Sequence, residues 1–274
     1  MATKKATTAK KSTRAKSQPV KKTVTTVTTV KAVEASSAKT TSRTLTGDRR
    51  TLLAAALIGE FIGTFLLTSA FLVAQGNPLY MSFAVVGIIL MVGTLSGAYL
   101  NPLLTVGAWV TRKLSHLRAL AYVVAQLLGA GAAFVVLTSF IDGSAGLAVS
   151  SQTAQAPELY KFVTLSDKNQ WFVFFAELLG ATVLAFAFAG ALRERTDHVA
   201  KALTIGFSVL VAYMIFSTTA SWLSGNVALN PAIALAAQAI DWSKINWGAI
   251  VAYFAAPLIG GIIGFVLRDV VETK

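Results

Sequence analysis

Two short stretches set the same polar residues inside apolar sequence: SGAYLNPLL at 96–104 and SGNVALNPAI at 224–233. In each, asparagine is followed directly by proline, as Asn101-Pro102 and Asn230-Pro231, and a short apolar run follows, 102–110 and 231–240. Proline suits the first turn of a helix, where its missing N–H would have had no partner. The asparagine carbonyl can help fix the bend, while its NH₂ offers donors beside the free amides of the helix end. Two such corners facing each other would present donors to a small, neutral, polar molecule. A cation would meet two positive dipole ends and an uncompensated dehydration cost.

Other candidate chemistry is sparse. Glu60 lies in GEFIGTFLL (59–67) and Glu177 in AELLGATVLA (176–185), both apolar contexts. A carboxylate in a membrane helix is costly unless satisfied. A proton relay is one use for it, but the symmetric repetition of these two points elsewhere. Gln126 sits near the middle of its segment and can satisfy polar backbone as donor and acceptor. The chain has no cysteine, and His116 and His198 stand far apart in polar joints. With no phosphate-binding loop, zinc signature or nucleophile elbow, no metal, no cofactor and no enzyme are expected.

The elements that must carry these residues are long and apolar. The chain is 55% hydrophobic and 13% charged, against about 25% charged in soluble domains, with a mean hydropathy of +0.65. Segments near 51–74, 79–95, 117–140, 171–191, 200–220 and 247–267 approach the ~20 residues that cross a hydrocarbon core. The runs 102–110 and 231–240 are too short to cross. Either they lie on the surface, or each is a half-helix that dips in and stops near mid-membrane; the repetition favours the half-helices.

The chain also repeats itself. The Glu60 segment echoes the Glu177 segment, the corners echo each other, and YVVAQLLGAGAA (122–133) echoes YFAAPLIGGIIG (253–264). Each half reads as helix, helix, half-helix, helix. Three crossings per half invert the second half relative to the first. The expected fold is therefore an all-α membrane protein of six transmembrane helices and two re-entrant half-helices. Its channel domain spans 51–268, with repeats at 51–140 and 171–268, a linker at 141–170 and a short C-terminus at 269–274.

Charge is concentrated in the N-terminal tail. Residues 1–50 hold 13 Lys or Arg against only Glu34 and Asp48, in a chain of net charge +12. Low-complexity Lys/Thr/Ala/Ser/Val sequence there buries too little to offset ordering entropy, so disorder is expected. Arg112, Lys113 and Arg118 follow the first half-helix, and Arg193, Arg195 and Lys201 lie between segments four and five. By the positive-inside rule both termini and the first corner face the cytoplasm of a plasma or inner membrane, and the second corner enters from outside. The tail suits anionic lipid or mere solvation better than nucleic acid, since no aromatic interleaving or folded reader accompanies it. No specific nucleic-acid partner is expected.

The two SGxxxNP corners, the inverted repeat, the paired glutamates and the Gly-rich third helices resemble the aquaporin/aquaglyceroporin family, the major intrinsic proteins, over about residues 51–268. The resemblance implies a homotetramer with one pore per subunit, passing water or small uncharged solutes without energy input. It implies that Asn101 and Asn230 are pore asparagines and that Glu60 and Glu177 brace the half-helix loops. Three positions depart from the family pattern. Leu103 stands where the first motif usually has alanine, whereas Ala232 keeps it in the second. Tyr99 stands in the cytoplasmic vestibule where histidine is common. Ile233 stands where arginine usually guards the outer constriction, and no Lys or Arg occurs within 219–243 to replace it. The other implied filter positions are Met81, Tyr213 and Val227.

Such a filter has one hydroxyl as its obvious side-chain polar group. Two outcomes follow from it: easier passage of glycerol, urea, ammonia or dissolved gases, or hindrance of water by dewetting. Two further readings of the whole chain stand beside the channel. A secondary transporter also uses inverted repeats, but needs coupling chemistry that this core lacks apart from the glutamates. A non-conducting structural membrane protein would accommodate Leu103 and Ile233.

Overall fold

The computed structural model describes residues 42–144, 158–194 and 197–272, with side chains described from residue 51 onward. Residues 1–41, which hold most of the expected disordered tail, and 145–157 of the linker lie outside the described residues. In chain order the helices are α1 (Ser42–Val73), α2 (Pro78–Ser96), α3 (Pro102–Val110), α4 (His116–Ser144), α5 (Gln170–Ala191), α6 (His198–Ser221), α7 (Pro231–Ala236), α8 (Trp247–Ile250) and α9 (Ala256–Glu272). A π-helical stretch, Val251–Ala255, joins α8 to α9.

Among the described residues, six spans are long and apolar enough to cross a membrane: Thr51–Val73, Pro78–Ser96, His116–Ser144, Gln170–Ala191, His198–Ser221 and Trp247–Glu272. The expected all-α fold with six spans and two half-helices is the fold observed. Leu52, Phe83, Phe140 and Phe207 point outward and stay exposed, as an envelope facing hydrocarbon requires. Trp109, Trp171, Trp222, Trp242 and Trp247 lie exposed at or near segment ends, where an amphipathic ring suits the membrane–water boundary.

Asparagine starts four of the helices by one device. Asn77, Asn101, Asn230 and Asn246 each accept a backbone N–H two residues on through the side-chain oxygen. Proline follows directly in the first three, with φ already set for a helix.

The halves interlock. α1 packs on α2 and α4, α5 packs on α6 and α9, and α2 meets α6 between the halves. Each half-helix leans on the third long helix of the other half, α3 on α9 and α7 on α4. Close crossing needs glycine at matched places. A Cβ on Gly129 of α4 would lie 2.4 Å from the Phe61 carbonyl oxygen of α1, and one on Gly260 of α9 would lie 2.3 Å from that of Leu178 on α5.

Four boundaries differ from the sequence reading. Helix α1 begins at Ser42, ahead of the expected 51, because a polar helical turn can continue beyond the hydrocarbon with its backbone bonds internal. Helix α4 runs on to Ser144. The second half-helix ends at Ala236, not 240: Ala237 closes it by donating to Ile233, and Gln238 turns left-handed at φ 56°. The sixth span continues past 268 to Glu272 and carries the π stretch just before Pro257, where proline cannot donate to the preceding turn.

Candidate pore at the junction of the half-helices

The two corners meet tip to tip. Asn101 Oδ1 accepts from Leu103 N at 3.0 Å, which fixes the carboxamide and leaves its nitrogen pointing onward. That nitrogen donates to the Leu229 carbonyl at 2.8 Å. The second half reciprocates. Asn230 Oδ1 accepts from Ala232 N at 3.0 Å, and Asn230 Nδ2 donates to the Leu100 carbonyl at 3.1 Å. Each NH₂ carries two protons, and the crossing bond uses one of them.

Leu100 and Leu229 make this crossing possible and were not singled out from the sequence. Their φ angles are 54° and 46°, a left-handed conformation that costs a leucine about 1–3 kcal/mol and persists only when its surroundings hold it. The glutamates supply that hold. Glu60 accepts from Tyr99 N at 3.0 Å and Leu100 N at 2.7 Å. Glu177 accepts from Ala228 N at 2.5 Å and Leu229 N at 3.0 Å. Both carboxyl groups are fully buried. The available signal was the leucine that precedes each asparagine in both motifs.

Gln126 extends the first brace. Its Nε2 donates to Glu60 Oε2 at 2.8 Å and lies 2.9 Å from Thr105 Oγ1 on α3. Thr105 in turn donates to the Asn101 carbonyl at 3.1 Å. A single polar chain therefore links α1, α4, α3 and the first corner.

The residues that depart from the family pattern are all buried. Leu103 is fully enclosed, and Gly261 of α9 lies against its backbone, so glycine there permits the close approach of α3 to α9. Tyr99 stacks within a ring cluster, 5.8 Å from Tyr122 and 5.1 Å from Phe188. Met81, Tyr213, Val227 and Ile233 all lie in the main buried core of the described residues, none more than 3% exposed. The Tyr213 hydroxyl is not free: it donates to the Ala228 carbonyl. Pro102, Pro231 and Ala232 lie buried in the first turns of α3 and α7.

Beside this cluster, on the side where the second corner descends, part of the linker packs inward. Tyr160 N donates to Leu72 O at 3.0 Å, and Phe162 N donates to Ala237 O at 3.1 Å. Asn226 takes Val163 N on its oxygen at 2.7 Å and donates from its nitrogen to the Tyr160 hydroxyl. Burial pushes the Tyr160 phenol above its ordinary pKa, with the Asn226 bond opposing. The sequence marked 141–170 only as a polar linker.

At the opposite end, Lys113 after α3 bonds Asp269 of α9 at 2.6 Å, and Arg193 after α5 reaches Asp269 at 3.2 Å. Arg193 and Arg268 both pair with Glu272. These ties fasten the ends of α3, α5 and α9 together. Each pair is partly solvated, so each is worth little alone.

The profile of the Major intrinsic protein family matches residues 49–267. The chain is 31% identical over 237 residues to Aquaporin-2 of Rattus norvegicus, covering 78% of this chain and 77% of that protein. It is 28% identical over 241 residues to Aquaporin AqpM of Methanothermobacter marburgensis, covering 75% and 92% respectively. The fold is similar to that of the aquaglyceroporin from Plasmodium falciparum, with TM-score 0.57 and 22% identity over 81% of this chain and 96% of that one. The chain belongs to the major intrinsic protein family, and it is a passive membrane channel for water or small uncharged solutes, not an enzyme.

Proposed function

We propose that the conducting path runs past Asn101 and Asn230, whose remaining amide protons serve a neutral permeant, and that its outer constriction is formed by Met81, Tyr213, Val227 and Ile233. The supporting observation is the polarity of that ring. Ile233 is 1% exposed where a guanidinium would otherwise reach the path, and the Tyr213 hydroxyl is already given to Ala228 O. A ring of this kind removes fixed donors and a positive barrier, so relative to a strict water channel it favours other small neutral solutes. Glycerol, urea and ammonia are the substrates of this reading.

The remaining placement follows from charge. Lys113, Arg118 and Arg193 lie after α3, at the start of α4 and after α5, and by the positive-inside rule they support a cytoplasmic face of the cell membrane for these ends and for both termini. Tyr99 then lines the cytoplasmic vestibule. For the basic tail, anionic headgroups are the partner of this reading. Four copies assemble, each with its own path.

Stopped-flow measurements in proteoliposomes, comparing water, glycerol, urea and ammonia against empty vesicles, test the proposal. Glycerol or urea flux above background is expected to accompany water flux. Water flux alone, with the other three solutes at background, would overturn the apolar-filter reading. Mass in mild detergent checks the tetramer.

A further inference from the structure

The linker delivers two aromatic rings, Tyr160 and Phe162, to the outer half of the channel, and the way the buried Phe162 is held indicates a use. Residues 158–166 are tied at several points: Gln75 Nε2 to the Glu158 carbonyl at 3.0 Å, Tyr160 N to Leu72 O, Phe162 N to Ala237 O, Val163 N to Asn226, and Asn246 Nδ2 to the Leu165 carbonyl at 3.0 Å. Those partners are the outer end of α1, the descending limb of the second corner, the end of α7 and the start of α8. Phe162 is 6% exposed, while its neighbours Lys161 and Val163 are exposed.

The Phe162 ring stands 5.0 Å from Tyr253 and 6.2 Å from Phe71, which in turn stands 6.2 Å from Tyr213. Tyr253 donates to the Asn226 carbonyl at 3.3 Å, at the head of the corner that carries Val227 and Ala228. Phe162 is thus packed among three rings, with Tyr160 at 5.5 Å as the third, and of these Phe71 and Tyr253 each touch a different wall of the constriction. Phe71 backs Tyr213, and Tyr253 backs the 226–228 segment. The Tyr213 hydroxyl bonds the Ala228 carbonyl, so the two walls are joined into one unit, and where that unit stands depends on the rings packed behind it.

We propose that Phe162 is a positioning residue for the outer constriction, acting through Phe71 and Tyr253 to set where the hydrogen-bonded pair of Tyr213 and the Asn226–Ala228 segment stands, and so the largest neutral solute that passes. This rests on the constriction described under Proposed function. Removing the ring leaves a void that Phe71 and Tyr253 relax into, and both walls retreat. Selectivity therefore shifts before stability is exhausted.

The test uses the full-length protein in proteoliposomes, with Phe162→Leu, Phe162→Ala and Ile233→Arg compared against the parent for water, urea and glycerol. The glycerol-to-water permeability ratio is expected to rise stepwise, reaching about fivefold in Phe162→Ala. That is about 1 kcal/mol of differential barrier at 1.36 kcal/mol per tenfold. If the alanine variant fails to assemble, the leucine variant carries the comparison. An unchanged ratio in an assembled variant overturns the proposal, as does an equal fall for all three solutes, which marks a purely structural role. If Ile233→Arg changes the ratio while the Phe162 variants do not, the positioning role fails and the constriction stands. If neither changes it, the constriction itself is misplaced and this role falls with it.

Discussion

Asn101 and Leu229, from opposite halves of the chain, are joined by a 2.8 Å hydrogen bond from carboxamide to carbonyl, and Asn230 and Leu100 repeat it at 3.1 Å. The reciprocity makes the two corners one unit. Each leucine is twisted left-handed so that its carbonyl faces the opposing asparagine, and each is held there by a glutamate from its own half. Strain, brace and crossing bond therefore depend on one another.

Replacing Asn230 with alanine removes both the cap on Ala232 N and the bond to Leu100 O. The cost to stability is expected at about 1–2 kcal/mol, read by thermal unfolding in detergent. Conduction of water and small solutes is expected to fall about tenfold, the scale of one lost donor at 1.36 kcal/mol per tenfold. Wild-type flux in an assembled variant would place the permeant path elsewhere.

Glu177→Gln leaves one oxygen to serve two backbone donors and turns an NH₂ toward Ala228 N or Leu229 N. A buried donor without an acceptor costs about 1–3 kcal/mol. The melting temperature is expected to drop, and the second corner should lose its hydrogen-exchange protection before the first. Equal protection of the two corners would contradict the local brace.

Ile233→Arg introduces a guanidinium at the constriction proposed for Met81, Tyr213, Val227 and Ile233. Glycerol and urea permeabilities are expected to fall several-fold relative to water, in proteoliposomes of matched protein content. Unchanged ratios would remove Ile233 from the constriction.

Gly260→Ala places a methyl 2.3 Å from the Leu178 carbonyl oxygen, and Gly129→Ala does the same at 2.4 Å from that of Phe61. Backbone cannot yield as a flexible side chain does, so each substitution is expected to cost about 1–3 kcal/mol and lower the yield of folded protein. Gly131, with nothing within 4 Å of its Cβ position, serves as the control and should tolerate alanine. Fluorescence-detected chromatography of the three variants decides it.

Deleting residues 1–41 removes most of the basic tail and spares the described helices. Solute permeability is expected to stay unchanged, while binding of the detergent-solubilised protein to anionic vesicles weakens and becomes less salt-sensitive. Abolished conduction in a normally assembled truncation would assign the tail a role in the channel.

Much of the fold was legible because membrane crossing leaves a strong mark in sequence. A span needs ~20 apolar residues with their backbone bonds satisfied internally, and that requirement is local. The half-helix starts were legible for a similar reason. Asn-Pro fixes a cap and a first turn within a few residues, and α3 begins and ends where the sequence placed it. The second half-helix was overextended because Ala237, Gln238 and Ala239 are apolar or helix-compatible. Its stop is a left-handed Gln238, and Phe162, distant in sequence, bonds the Ala237 carbonyl there.

By itself the sequence determined the number of spans, the inversion of the halves, the two asparagine corners and the loss of the arginine, all of which follow from residue type at short spacing. Tertiary structure alone decided that Leu100 and Leu229 would be the strained acceptors, that the Tyr213 hydroxyl would be given to Ala228, and that the linker ring of Phe162 would pack against Phe71 and Tyr253. Those outcomes depend on carbonyl directions and ring positions set by elements up to 130 residues apart. Local composition carries no record of such distances, because the partner of a buried polar group is chosen by packing, not by its neighbours along the chain.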